Sequence, residues 1–321
     1  MKKLHIFFKI LLTITTLLLA CSLFGCKKSQ TRTNEIVIYS YDSFIGEWGP
    51  GAEIARLFEE KTGIKVVYED CGDAVQILSK AILEKNEPYA DVLIGIDNNM
   101  CQQAIESGII QQYKAKNLDA LIPADLTKEL NDNKTGTPYL TPYDFSNFAI
   151  IFNTLSGLPA PTCLEDLTKP VYNKKLILMD PRTSTPGLGF KVWAQKVYGD
   201  KYDDYMKRLE PSILTMSPSW SVGYGMFTEG EAPLVISYTT SAAYHIEYDE
   251  GDQFKALKFT DGHVRQIEGA CVVKNAPNAE GAKKFLDFFI TEEAQNVIPL
   301  TQWMFPANKN VKLPESYDVA F

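Results

Sequence analysis

The chain has 321 residues, 45% of them hydrophobic and 22% charged, which allows one large core or two medium ones and excludes a disordered chain. Its 40 acidic residues outnumber 32 basic ones, for a net charge of −8. The first 25 residues hold Lys2, Lys3 and Lys9 and no acid, so without them the balance is 29 against 40, or −11; such an acidic body repels nucleic acid and anionic membrane faces and mildly favours a cationic ligand.

The N-terminal stretch reads as an export signal. Lys2 and Lys3 precede an apolar run from Ile10 to Gly25 with only Thr and Ser as polar interruptions, slightly short for a spanning helix. The run ends in Leu23-Phe24-Gly25-Cys26 and gives way to the polar KKSQTRTNE. This resembles a bacterial lipoprotein signal, in which the Cys after the small residue is lipidated and becomes the new N-terminus. Leu18-Leu19-Ala20-Cys21 also fits the pattern; Cys26 is preferred, because cleavage before Cys21 would leave the apolar SLFG at the head of the tether. The expected organisation is a signal over 1–25 and a tether over 26–34. The mature protein would be held by its lipid at the outer side of the cytoplasmic membrane or in a periplasm. Cys71, Cys101, Cys163 and Cys271 lie far apart with no C-x-x-C and no His partner at metal spacing, and are expected to be buried or isolated thiols.

Beyond the tether, Ile36 to Tyr39 reads as a buried strand that ends in a polar turn at Tyr41-Asp42. Ile54, Leu57 and Phe58 recur at helical spacing and Gly63 stops that helix. Ile64 to Tyr68 is the next strand, and Gly72-Asp73 opens a helix carrying Val75, Leu78 and Ile82 on one face. Asp91 to Ile96 is a third strand, ending at Asp97-Asn98. Strands alternating with helices indicate a mainly parallel sheet, and in such sheets ligands bind outside the carboxyl ends of the strands.

Residues 113–147 are less regular. Phe148 to Phe152, Leu176 to Met179, Ile213 to Met216 and Leu234 to Ser237 then read as strands, with helices near 187–198, 201–210 and 222–229. Val264 to Val273 is a further strand, followed by helices near 278–290 and 292–298. The fold class expected is α/β with two lobes and a ligand cleft between them. Residues 35–140 with about 242–295 would form one lobe, and about 141–241 with 296–321 the other. Chain crossings are expected at Thr141 to Asn147 and near Tyr238.

One stretch stands out, Asp180 to Ala194. Thr185 as N-cap with Pro186 at the first helical position is a helix-start signal. Arg182, Ser184, Thr185 and the free N–H groups of a helix N-terminus could receive an anion, although an ordinary capped turn would show the same residues. Catalytic signatures are missing: no G-x-S-x-G, no G-x-x-x-x-G-K-[ST], no H-E-x-x-H, and Gly187-Leu188-Gly189 lacks the third glycine of a dinucleotide fingerprint. His245 and His263 are isolated and read as structural. Most aromatics fit cores, but Tyr39 and Tyr41 beside Asp42, Trp220, Tyr238 and Tyr244, and Trp303 sit in polar or turn-like surroundings. Tyr and Trp in such places suit flat or cationic ligands.

The segments YSYDSFIGEWGPG, ADVLIGIDNN, DPRTSTPGLGF, WAQKVYGD and SYTTSAAYHI, with WMFP near the end, closely resemble the thiamine-binding proteins of bacterial ABC importers. The match is collinear from about Glu35 to Leu313. The resemblance implies a type II periplasmic binding fold, no catalysis and no metal or other cofactor. It also implies a monomer that takes thiamine, thiamine monophosphate or the diphosphate to a membrane permease. It places Ser184 and Thr185 at the phosphate or hydroxyethyl end, with Asp73 and the Ala74 backbone as a second contact. Trp220, Tyr238, Tyr244 and Trp303 would surround the rings, with Thr239, Thr240 and Ser241 lining the same wall and Tyr41 adding a ring contact. The chain departs from the family in having Cys71-Gly72 where an acidic residue is usual, in a lipoprotein-type N-terminus, and in ending at Phe321 where related chains continue with another helix. Other readings are a ferric-ion binder, against which stands the lack of a Tyr-Tyr pair, a polyamine binder, and an extracytoplasmic hydrolase of thiamine-like compounds.

Overall fold

Ile36-Val37-Ile38-Tyr39 forms the fully buried centre of β1 (Glu35–Ser40), as an unbroken apolar run in a parallel sheet should. The computed structural model describes residues 32–321 except 133, 135 and 250; the expected signal, Cys21, Cys26 and most of the tether lie outside the described residues. On either side of β1 lie β2 (Lys65–Asp70) and β3 (Val92–Asp97), both parallel to it. The intervening helices Gly51–Thr62 and Ala74–Leu83 supply the crossovers. Gly63 closes the first of these helices at φ 70°, the left-handed cap that only glycine takes without cost.

The remaining strands are β4 (Ile110–Gln111), β5 (Thr141–Asn153), β6 (Leu176–Met179), β7 (Ile213–Ser217), β8 (Leu234–Tyr238), β9 (Phe254–Ala256), β10 (Arg265–Val273) and β11 (Phe305–Pro306). The main path runs β2-β1-β3-β10-β5-β8-β6-β7. β10 is antiparallel to β3 and to the first half of β5, Thr141 to Asn147. The second half of β5, Phe148 to Asn153, is antiparallel to β8 and β9, and β8, β6 and β7 run parallel to one another. One thirteen-residue strand therefore carries the chain out of one sheet and into another. The expected crossing at Thr141 to Asn147 is right in place, but the segment is strand. Its polar residues Asp144, Ser146 and Asn147 hid the extended pattern.

Two hydrophobic clusters follow from this path. The first gathers Ile36, Phe44, Phe58, Ile94, Phe285 and Phe289 among others, and the second Phe148, Leu178, Trp193, Tyr205, Phe227 and Ile236. Each such side chain contributes about 1.5–3 kcal/mol by leaving water. Core membership departs from the expected lobe limits at two points. Ile298, Met304 and Ala307 pack in the first cluster because β11 pairs with the first half of β5, and Phe259 packs in the second beside Trp193. The chain returns to the first cluster only as it enters β10.

Cys71, Cys101, Cys163 and Cys271 are free thiols. His263 is structural: Nδ1 donates to the Phe148 carbonyl at 2.8 Å and Nε2 accepts from the Phe259 amide at 3.1 Å.

Candidate ligand-binding site

A cavity of about 460 Å³ opens between the two clusters. It lies outside the carboxyl ends of the parallel strands, where the chain leaves β1 at Tyr41, approaches Asp73 from β2, leaves β7 toward Trp220 and ends β8 at Tyr238. Eight of the twelve expected ligand residues line it: Tyr41, Asp73, Thr185, Trp220, Tyr238, Ser241, Tyr244 and Trp303. The other four are buried just behind. Ala74 has its N–H held by the Asp73 carboxyl, Ser184 has no hydrogen-bond partner at its Oγ, and the Thr239 and Thr240 hydroxyls meet Ser146 Oγ at 3.2 and 3.1 Å. The two threonines thus fix the turn after β8 against β5, which differs from their expected place on the cavity wall.

Tyr41 is anchored through its hydroxyl, which lies 3.0 Å from Tyr143 Oη, 3.1 Å from Glu268 Oε2 and 2.6 Å from the Gln302 amide donor. Its ring needs Gly95. A Cβ there would come within 2.6 Å of the ring, and the backbone at φ 107° is one that glycine alone adopts freely. On the opposite wall, Ser219 caps the helix Trp220–Thr228 through its hydroxyl. Trp220 stacks on Tyr224 at 4.9 Å and donates its indole N–H to Ser237 Oγ at 2.8 Å. Tyr238 stacks on Phe148 at 5.5 Å and donates to Gln266 Oε1 at 3.0 Å. At the third side, Tyr244 and Trp303 meet edge to face at 5.3 Å. The Trp303 backbone sits at φ 58°, a conformation that costs a bulky residue about 1–3 kcal/mol and that concentrates at functional sites.

Hydrogen bonds span the cleft. Asp73 Oδ2 accepts from the Trp220 amide at 2.9 Å, Ser221 donates to Asp42 Oδ1 at 3.0 Å, and the Val75 amide donates to the Thr183 carbonyl at 3.1 Å. Asp73 also caps the helix Ala74–Leu83 in a capping box with Gln76. Burial pushes its carboxyl up to about 6, against the pull of its two amide donors.

The helix Thr185–Tyr198 begins one residue earlier than expected, with Ser184 rather than Thr185 at the N-cap. Ser184 Oγ makes no capping bond; it is fully buried beside the Asp73 carboxyl, toward which it donates only loosely. Arg182 leaves the anion-site reading: it is exposed, folds back on Asp180 and does not line the cavity.

Among the lining residues that escaped the sequence reading are Tyr224, Trp48, Gln302 and Glu268. Tyr224 looked like an ordinary helix core position. Trp48 is 81% exposed on the loop after the helix Asp42–Ile45, and its place in YDSFIGEWGPG could have signalled it. Gln302 stands next to Trp303. Glu268 had the clearest signal, a lone acid in the apolar strand IEGACVV, since an unpaired buried acid is rare. Among the lining residues are the carboxyls of Asp42, Glu47, Asp73 and Glu268, and none is Lys, Arg or His.

Sheet path, cleft and lining are those of an extracellular binding protein of the two-lobed periplasmic type. Residues 87–321 match the family model of bacterial extracellular solute-binding proteins. The chain is 36% identical over 305 residues to the thiamine-binding periplasmic protein of Brucella abortus, covering 94% of this chain and 89% of the relative. It is 35% identical over 283 residues to that of Escherichia coli, covering 88% and 84%. A solved periplasmic thiamin binding protein superposes with a TM-score of 0.82 at 34% identity, covering 89% of this chain and 87% of the other. The chain belongs to the thiamine-binding periplasmic protein family.

Proposed function

We propose that the chain captures thiamine, free or as its mono- or diphosphate, outside the cytoplasmic membrane and hands it unchanged to the permease of an ABC importer. Cys26 carries the lipid that tethers it, and it works as a monomer. The observation that carries this reading is the lining of the cavity, aromatic on three sides with four carboxyls and no cationic side chain. Thiamine is a cationic two-ring molecule. Trp220, Tyr238, Tyr244 and Trp303 would face its rings, with Tyr41 as a further ring contact, each ring adding about 0.5–2 kcal/mol by stacking and cation–π attraction. Trp48 is placed to fold over an occupied cavity. Asp73 and Ser241 would position the ligand from the two sides, with Ala74, Thr239 and Thr240 holding the backbone behind them. Ser184 and Thr185, at the start of a helix, would take the hydroxyethyl or phosphate end. The buried Ser184 hydroxyl sits beside the Asp73 carboxyl without a well-formed hydrogen bond, and an incoming oxygen would supply a better partner.

Calorimetric titration of the protein with thiamine, its mono- and diphosphate, spermidine and ferric citrate tests the reading. Binding of one or more thiamine species and not of the other two is expected. Heat with spermidine or ferric citrate alone would replace thiamine by a polyamine or iron, and product in a prolonged thiamine incubation would make the protein a hydrolase. Ser184→Ala is expected to weaken the phosphorylated forms about tenfold, as loss of a hydrogen bond to a charged group does, and to leave free thiamine little changed. An unaltered ranking of the three forms would remove the phosphate from that end.

Trp303→Gly separates binding from folding. Loss of two edge-to-face ring contacts, to Tyr244 and Tyr248, is offset by relief of about 1–3 kcal/mol of backbone strain. The melting temperature is therefore expected to stay near that of the unmodified protein while thiamine affinity falls about tenfold or more. A large drop in melting temperature would make Trp303 a packing residue instead.

A further inference from the structure

Glu268 and Asp144 face each other directly across the β10–β5 pair, at the point where the register of these strands shifts. These are the two strands that join the lobes. Glu268 is 4% exposed and its remaining surface belongs to the cavity, whereas Asp144 is completely buried. Neither Asp144 oxygen has a donor group within reach; its carboxyl meets that of Glu268. Around the pair stand Tyr41 after β1, Asp73 at its helix start, Asp97 at the end of β3, Tyr143 in β5, Tyr238 at the end of β8 and Tyr317 near the C-terminus. None of them brings positive charge. Two buried carboxyls in contact cannot both ionise, and they hydrogen bond only through a shared proton. The pair thus holds at least one proton, and Asp144, the deeper group, keeps it.

We propose that the Glu268–Asp144 pair is the counter-charge for the cationic ring of the ligand, and that capture of the cation expels one proton from the pair into solvent. The proposal rests on the thiamine reading given above. In the step, the Glu268 carboxyl loses its proton to buffer and becomes the carboxylate that faces the cation. Asp144 stays protonated and donates to Glu268. The Tyr41 hydroxyl, whose Oη already lies 3.1 Å from Glu268 Oε2, steadies the new charge. Burial pushes Glu268 up to about 7 in the free protein, so near neutrality a large share of molecules hold the extra proton. The sign follows from linkage: the complex favours ionised Glu268, so affinity rises as pH rises through about 7 and levels off above about 8, where there is no proton left to expel.

Titration of the full protein with thiamine, at pH 6, 7 and 8 and in buffers of different ionisation heat, measures the released proton directly. The expected result is a release approaching about one proton per ligand at pH 6, near zero at pH 8, and affinity about tenfold weaker at pH 6 than at pH 8. Glu268→Gln should abolish both the release and the pH dependence, and Asp97→Asn should keep the release. Heats that are the same in every buffer at pH 6 and 7, with thiamine bound, overturn the proposal while leaving the thiamine reading in place. Loss of the release in Asp97→Asn assigns it to Asp97 and overturns it as well. Absence of thiamine binding at every pH overturns the reading beneath it. Should Glu268→Gln fail to fold, the buffer series on the unmodified protein decides alone.

Discussion

Gly187→Ala is expected to lower the melting temperature by about 5–10 °C, the shift that a loss of about 3 kcal/mol gives in a chain of this size. A Cβ on Gly187 would lie 2.3 Å from the Met179 carbonyl oxygen and 2.7 Å from its carbon. Both are backbone atoms at the end of β6 and cannot turn aside as a side chain would. Gly187 and Gly189 let the helix Thr185–Tyr198 start hard against β6 and β5; at Gly189 the obstacle is the Phe148 ring, 2.1 Å from a Cβ. This close approach seats Ser184 and Thr185 at the cavity edge, so thiamine phosphate affinity should fall along with stability. Gly225→Ala is the matching control. It lies in the helix Trp220–Thr228 with no atom within 4 Å of a Cβ, and the gain in helix propensity is about 0.5–1 kcal/mol. Thermal unfolding of the two variants side by side checks the argument, and equal melting temperatures would refute it.

Asp73→Ala is expected to weaken thiamine binding about 10–100-fold, read by calorimetry at pH 8. The Asp73 carboxyl accepts the Trp220 amide across the cleft and the Ala74 amide on its own side, and hydrogen bonds to a charged group are worth about 1.5–3 kcal/mol each. Its loss removes one of the ties between the start of the Trp220 helix and the first lobe, leaving the Ser221–Asp42 bond to hold it. The effect on stability is expected to be small by comparison. Removing an N-cap costs about 1 kcal/mol, but it also removes a carboxyl whose ionisation burial opposes. The folded protein holds this acid above its ordinary range, so that opposition grows as pH rises through about 6. The variant should therefore lose less stability than the parent between pH 5 and pH 8. A steep loss of stability with unchanged affinity would make Asp73 a helix cap and nothing more.

Much of this molecule was legible from its residues. Apolar runs such as Ile36 to Tyr39 and Leu176 to Met179 are buried strands because both faces of the sheet are covered. Gly63 stopped its helix as read, in the left-handed conformation. Tyr41, Trp220, Tyr238 and Trp303, marked by turn-like polar neighbours as suited to a flat ligand, all line the cavity. What stayed hidden depended on contacts between distant segments. The Thr141 to Asn147 half of β5 is strand only because β10 pairs with it. Asp144 and Glu268 are ordinary acids until that pairing sets them face to face. Thr239 and Thr240 shared a motif with Ser241 but turn the other way, toward Ser146. Tyr224 sits at helical spacing like any core residue, and its exposure to the cavity depends on where the helix docks.

The lending of β5 to both sheets has a consequence for the order in which a nascent chain can fold. The second cluster is drawn from one continuous span, Phe148 to Phe259. The first waits for strands and helices from both ends of the chain, with β3 unpaired on one edge until β10 arrives. Contacts so far apart in sequence close slowly. A chain emerging from its N-terminus therefore exposes β1 to β3 as an incomplete sheet while the later half gathers around β6 and β8. An unfinished sheet edge is prone to wrong pairing, yet the same delay keeps the leading segment unfolded, the condition in which a polypeptide passes through a narrow translocation channel.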